Sequence, residues 1–211
     1  DKTYLLSGYP WFGARARDQF FALPGCTLSI KRMEYFDAII KTSIEEIKAF
    51  LDGNNEDIQL EEIDQPDVLL WFIAAIQQYA IYTSIEEAAK RFEDICSAII
   101  SFIRKQNHPN LLLHNNGLLY INGTERALTW MNAVEDGHPI TPRTGYVVEI
   151  NALWYNPLKF VADLKRATGN ENLADLTDYQ AEMSREAFIS TFWNGSYLHD
   201  FVTDSYKDME V

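Results

Sequence analysis

The residues of this chain best suited to chemistry fall in one stretch, residues 129–155, TWMNAVEDGHPITPRTGYVVEINALWY. Trp130, Asn132, Glu135, Asp136, Arg143, Glu149 and Asn151 crowd together there, broken by Gly137, Pro139, Pro142 and Gly145, which favour turns over continued helix. The stretch reads as a long, mostly loop-like passage between two helical halves, and so long a connection in a compact domain is unusual unless it has a function. Indole faces beside carboxylates, amides and a guanidinium suit a pyranose, whose C–H faces stack on rings and whose hydroxyls take bidentate hydrogen bonds. The reading is a carbohydrate site carried by a helical protein.

Other chemistries find less support. His108, His114, His138 and His199 lack metal-site spacing, and neither a G-x-S-x-G elbow nor a glycine-rich phosphate loop is present, so no metal and no cofactor are expected. With 18 Lys plus Arg against 31 Asp plus Glu, the net charge of -13 repels phosphate-rich partners. Nucleic acid is therefore excluded, and a neutral glucan fits better.

The elements that must position this stretch are helices. Residues 4–25 read as an aromatic loop around Pro10 and Gly13 that leads into a first helix, with Asp18 near its positive end. Apolar residues at three- and four-residue spacing predict an amphipathic helix over 34–51. An acidic solvated connection follows, and then a helix over 67–82 that is apolar on most sides, as an inner-layer helix would be. Thr83 or Ser84 caps the next helix, which runs to Gln106, and the Asn-Asn-Gly at 115–117 predicts a small β-hairpin. Two more helices are expected over 151–167 and 178–193, before an aromatic, irregular ending. About six helices and little strand result, in one domain spanning 1–211.

Cys26 and Cys96 lie in apolar contexts and read as buried free thiols, which suits a reducing, cytoplasmic compartment. No apolar run approaches membrane-spanning length and no signal peptide is visible, so no membrane partner is expected.

Three blocks in register, GYPWFGARARDQFFALPG, TWMNAVEDGHPITPRTGYVVEINALWYN and FWNGSYL, with DVLLWFI between the first two, resemble the glycogen debranching, amylo-α-1,6-glucosidase family over nearly the whole chain. The resemblance implies an all-α fold of the (α/α)6 toroid type and an inverting glucosidase that removes α-1,6-linked glucose at branch points of glycogen or limit dextrin. It implies that Arg17 and Asp18 grip the terminal glucose and that Trp11, Trp71 and Trp130 wall the pocket. Arg143, Asn151 and Trp193 join them as substrate-binding residues, and Asn132 and Glu149 take the catalytic positions.

The sequence also departs from the family pattern. Asn132 stands where the family's T-W-M-D motif has its presumed general acid, and an amide cannot supply that proton, a loss of roughly 10²–10⁴-fold. Ala14, Arg15 and Ala16 replace the usual D-W-G. A toroid needs about twelve helices, so this chain is expected to hold about half of one, with the general base on a later block of a longer chain. Half a toroid would leave the 67–82 helix with an exposed apolar side and favour a homo-oligomer. Three readings follow: part of a debranching glucosidase, a non-catalytic α-glucan-binding protein of the same fold, or a helical assembly fragment.

Overall fold

In the computed structural model, which describes residues 2–203, six α-helices carry the chain: α1 Ala16–Leu23, α2 Met33–Leu51, α3 Val68–Tyr82, α4 Ile85–Arg104, α5 Val148–Ala167 and α6 Glu171–Phe192. A π-helical turn, Pro24–Leu28, extends α1. The short strands are β1 Leu112–Leu113, β2 Leu119–Asn122, β3 Val134–Glu135, β4 His138–Pro139, β5 Thr144–Val147 and β6 Phe201–Val202. They form an antiparallel sheet in the order β1-β2-β5-β6 and a separate β3-β4 hairpin. Within the aromatic, irregular ending expected over residues 191–211, β6 forms a short strand, and residues 204–211 lie outside the described residues.

The helices follow their apolar spacing. Phe36, Ile39, Ile40, Ile47 and Phe50 of α2 are buried, while α3, apolar almost all round, is covered by α1, α4 and α5. The exposed apolar side expected for α3 is therefore not there, apart from Ile81 and Tyr82 at its end. Exposed apolar residues gather instead on α6, which packs along α5 and leaves Leu173, Leu176 and Tyr179 in solvent. Ser84 caps α4 by accepting the Glu87 N–H at 3.2 Å. Among the described residues, no helix is long and apolar enough to cross a membrane.

The leading segment is tied to the helices by polar contacts. The Thr3 N–H donates to Thr42 Oγ1 at 3.0 Å and the Leu5 N–H to Gln19 Oε1 at 2.9 Å. The buried Glu46 carboxylate accepts from Lys2 Nζ at 2.9 Å, from the Gln59 and Leu60 N–H groups at 3.1 and 2.8 Å, and from the Tyr4 hydroxyl. Burial alone would push the Glu46 carboxyl up, and these hydrogen bonds hold it below the ordinary range.

Three expectations need correction. The fold is mainly helical but not purely so, because strands of two to four residues are too short to show a period-2 pattern. The 129–155 stretch is less loop-like than its glycines and prolines suggest: Asp136 and Gly137, both at positive φ, turn the β3-β4 hairpin, and β5 runs directly into α5. That helix begins at Val148, so Glu149 and Asn151 sit in its opening turns. Cys96 is buried as expected but Cys26 is exposed, on the outer side of the π-helical turn. The Asn-Asn-Gly turn does join β1 to β2, pairing Leu113 with Leu119.

Candidate functional site

A cavity of about 300 Å³ lies between α1, α3, α5 and the Trp130 loop, at the small end of the range for small-molecule sites. It is lined by Arg17, Asp18, Phe21, Asp67, Trp71, Trp130, Glu149 and Leu153. Each helix supplies a pair one turn apart: Asp18 with Phe21, Asp67 with Trp71, Glu149 with Leu153. Side chains at i and i+3 or i+4 share a helix face, so each helix presents a charged group and an apolar one together. Trp130 adds an indole that is 59% exposed.

Arg17 does not pair with its neighbour Asp18. Its guanidinium is clamped by Asp67, Nε to Oδ2 at 2.6 Å and Nη2 to Oδ1 at 2.9 Å, and Nη2 also donates to Gln65 Oε1 at 2.7 Å. Burial works against the charge on Arg17, but the hydrogen bond and field of Asp67 outweigh it and raise its pKa above the usual arginine value. Asp67 Oδ2 also accepts the Trp71 indole N–H at 3.2 Å, and Trp71 meets Phe21 edge to face at 5.0 Å. One carboxylate thus fixes two walls directly and a third through a ring contact. Asp18 is exposed, and among the described residues it has neither a hydrogen-bond nor a salt-bridge partner.

Across the cavity, Arg143 is buried behind Glu149. Its Nη2 donates to Glu149 Oε2 at 2.8 Å and its Nη1 to Oε1, while Nε donates to Asp200 Oδ2 at 3.0 Å and Nη2 to Oδ1. The side chain of Arg143 is 1% exposed, that of Glu149 30%. The arginine is spent on its two partners, and the carboxylate shows an edge to the cavity. Close backbone approach makes this possible: a Cβ on Gly123 would come within 2.2 Å of the Arg143 carbonyl oxygen, and one on Gly145 within 2.3 Å of that of Val202.

Asn151 lies behind the cavity too. Its amide accepts the Leu119 N–H at 2.7 Å and donates to the Leu119 and Val147 carbonyls, each at 3.0 Å, pinning the start of α5 to β2. With the residue wholly buried and both ends of the amide used, nothing is left for a sugar.

Of the residues the sequence singled out, Arg17, Asp18, Trp71, Trp130 and Glu149 therefore meet around one cavity, and Arg143 and Asn151 support it from behind. Trp11, Trp193 and Asn132 are not in its lining. Trp11 is 82% exposed on the loop before α1, and Trp193 is 48% exposed at the end of α6. Asn132 is half-buried two residues beyond Trp130 and has no side-chain partner among the described residues. Asp67, Phe21 and Leu153 were missed, although the one-turn spacing of Asp67 before Trp71 was available as a signal.

A family model described as Amylo-alpha-1,6-glucosidase matches residues 1–211 of the chain. No curated protein matches it.

Proposed function

Because the chain belongs to the amylo-alpha-1,6-glucosidase family, we propose that the cavity between α1, α3 and α5 receives the terminal glucose of an α-1,6 branch on glycogen or a limit dextrin in the cytoplasm. The observation that carries this reading is the alternation of ring faces with carboxylates around one cavity: Phe21, Trp71 and Trp130 among Asp18 and Glu149. A pyranose uses both, stacking its C–H face and donating its hydroxyls. The six helices then form about half of an (α/α)6 toroid-type catalytic domain, and the family's reaction is hydrolysis with inversion.

Inversion uses one carboxylic acid and one carboxylate, about 6.5–9.5 Å apart. Glu149, with both oxygens accepting from Arg143, suits the role of acceptor, for a hydroxyl or a water, better than that of proton donor. Asn132 has no proton to give. On this reading the chain holds the departing glucose but lacks the acid at its expected place.

That substitution is the specific observation favouring a second reading, non-catalytic α-glucan binding, in which the Asn132 amide meets a sugar hydroxyl. Two measurements on one preparation separate the readings. Calorimetric titration with isomaltose is expected to show saturable binding, and glucose release from limit dextrin is expected to fall far below about one turnover per second, the ordinary enzyme range. Turnover in that range would restore the hydrolase reading in full. Absence of isomaltose binding would remove both.

A further inference from the structure

Resting on this reading of the cavity, we propose that the loop of residues 7–13 is a second α-glucan subsite, an aromatic platform for glucose units that lie outside the cavity. Tyr9, Trp11 and Phe12 are 77%, 82% and 53% exposed. Three aromatic side chains within four consecutive positions of one loop, all left in water, expose apolar surface of the kind that marks an interaction site.

The loop is held in shape without a ligand. The Ser7 N–H donates to the Gly13 carbonyl and the Trp11 N–H to the Gly8 carbonyl, each at 3.0 Å. Gly8 has a φ of +59°, and a Cβ there would lie 2.9 Å from the Phe12 ring, so the turn needs its glycine. Rings presented on a closed loop lose little freedom when they bind.

Polar contacts connect the platform to the cavity wall. The Arg15 guanidinium lies 5.0 Å from the Phe12 ring centroid and donates to Glu62 Oε1 at 3.0 Å. The other Glu62 oxygen is 3.9 Å from Arg17 Nη1, and Arg17 lines the cavity. Phe12 is thus linked, through Arg15 and Glu62, to the Arg17 wall of the cavity. Because the charge of Arg15 is already answered by Glu62, the surface offers flat faces and no spare cation, which selects a neutral pyranose chain over a phosphate-bearing partner.

The test compares two ligands that share their cavity end. Isomaltose presents the α-1,6-linked glucose and the single glucose that bears it; a maltoheptaose bearing one α-1,6-linked glucosyl stub presents the same glucose and a long chain. Both are titrated calorimetrically into the wild type, Trp11→Ala, Tyr9→Ala and Trp11→Phe, with thermal melts to confirm folding, since exposed rings contribute little to the core. Trp11→Ala is expected to weaken the long ligand about tenfold, a shift of 1.4 kcal/mol, with isomaltose unchanged and Trp11→Phe restoring most of the loss. Equal weakening of both ligands would assign Trp11 to the cavity and overturn the platform; so would no weakening of either. Wild type that binds the long ligand but not isomaltose would support the platform and remove the cavity reading, while binding of neither would remove both. A wild-type dimer that becomes monomeric on Trp11→Ala would make the loop a contact between copies and overturn the proposal.

Discussion

Arg17 and Arg143 are both buried beside the same cavity, yet they leave different things for a ligand. Arg17 and its carboxylate partner Asp67 both line the cavity, but Asp67 is 5% exposed and both its oxygens are already bonded to the protein. Arg143 stays out of the lining, and its partner Glu149 is the one that reaches the cavity. On the helical side the clamp builds a wall. On the loop side it holds a carboxylate at the edge of that wall. An arginine–carboxylate pair in a binding site has to be read by how much of its carboxylate is left exposed to a ligand: 5% for Asp67, 30% for Glu149.

The loop-side clamp should be the more costly one to break. Arg143→Met removes the cation shared by two carboxylates and leaves Glu149 and Asp200 side by side in a mostly dry position. Removing one partner of a buried pair costs about 3–5 kcal/mol; the partial exposure of Glu149 points to the lower end. We expect a loss of roughly 3 kcal/mol in urea denaturation, and Arg143→Lys to recover only part of it, since a point charge cannot replace the fork. A loss below about 1 kcal/mol would mean that solvent already compensates Glu149, and the contrast with Arg17 would collapse.

On the helical side Asp67→Asn keeps the shape but removes the charge that answers Arg17. Gln65 still accepts one N–H, so the expected destabilisation is smaller, about 2–3 kcal/mol. Because Asp67 also fixes Trp71, isomaltose affinity should fall with stability, by roughly tenfold. Unchanged affinity in a destabilised but folded variant would mean that the wall does not depend on the clamp.

How far the sequence disclosed these regions follows from what each is made of. The helices were readable because apolar residues recur at three and four positions over several turns, as in α2 and α4. The Asp18 and Trp71 side chains were readable because charged and aromatic types stand out. Partnership was not. Arg17 and Asp18 are adjacent in sequence, but consecutive helical residues point about a quarter-turn apart, and the real partner comes from α3, fifty residues away. Asn151 looked like a sugar ligand because amides bind sugars; only its hydrogen bonds to the Leu119 and Val147 backbone show that its amide is already used. The β5–α5 junction was hidden because Gly145, read as a loop former, instead permits close strand contact, and the helix that follows has no capping side chain.

A pH series sharpens the contrast by isolating a group that belongs to neither clamp. His108 is buried beside the rings of Phe50 and Phe102, accepts the Asn110 N–H at Nδ1, and has no partner at Nε2 among the described residues. Burial pushes its pKa down to about 4, which the nearby Asp64 only partly opposes. Its folded pKa lies below the unfolded value near 6.5, so between those values the unfolded chain binds the extra proton and stability falls as pH falls. About 3 kcal/mol should be lost from pH 7 to pH 4. His108→Phe should flatten that slope, leaving the acid losses that begin below about pH 4.3, where Glu46 takes up a proton in the unfolded chain before it does in the folded one, whose pKa is depressed. An unchanged slope in His108→Phe would return the acid sensitivity to the carboxylates, the clamps included.

The smallest effect on stability is expected at Asp18, where the effect on binding should be clear. Its carboxylate lines the cavity, is exposed, and has no hydrogen-bond or salt-bridge partner among the described residues. Near the N-terminus of α1 it gains at most a few tenths of a kcal/mol from the helix dipole, so Asp18→Asn should change unfolding by about 0.5 kcal/mol or less. If Asp18 accepts hydrogen bonds from a glucose ring, those are charge-assisted, and losing the charge should cost on the order of 1–3 kcal/mol of isomaltose affinity. The two numbers point in opposite directions from those at Arg143, where stability falls most and binding follows from it. A titration of Asp18→Asn with isomaltose, beside its melting curve, decides the matter. Lost binding with unchanged melting would make Asp18 the free acceptor that the clamped carboxylates are not; unchanged binding would leave Glu149 as the cavity's working carboxylate and Asp18 as solvated surface.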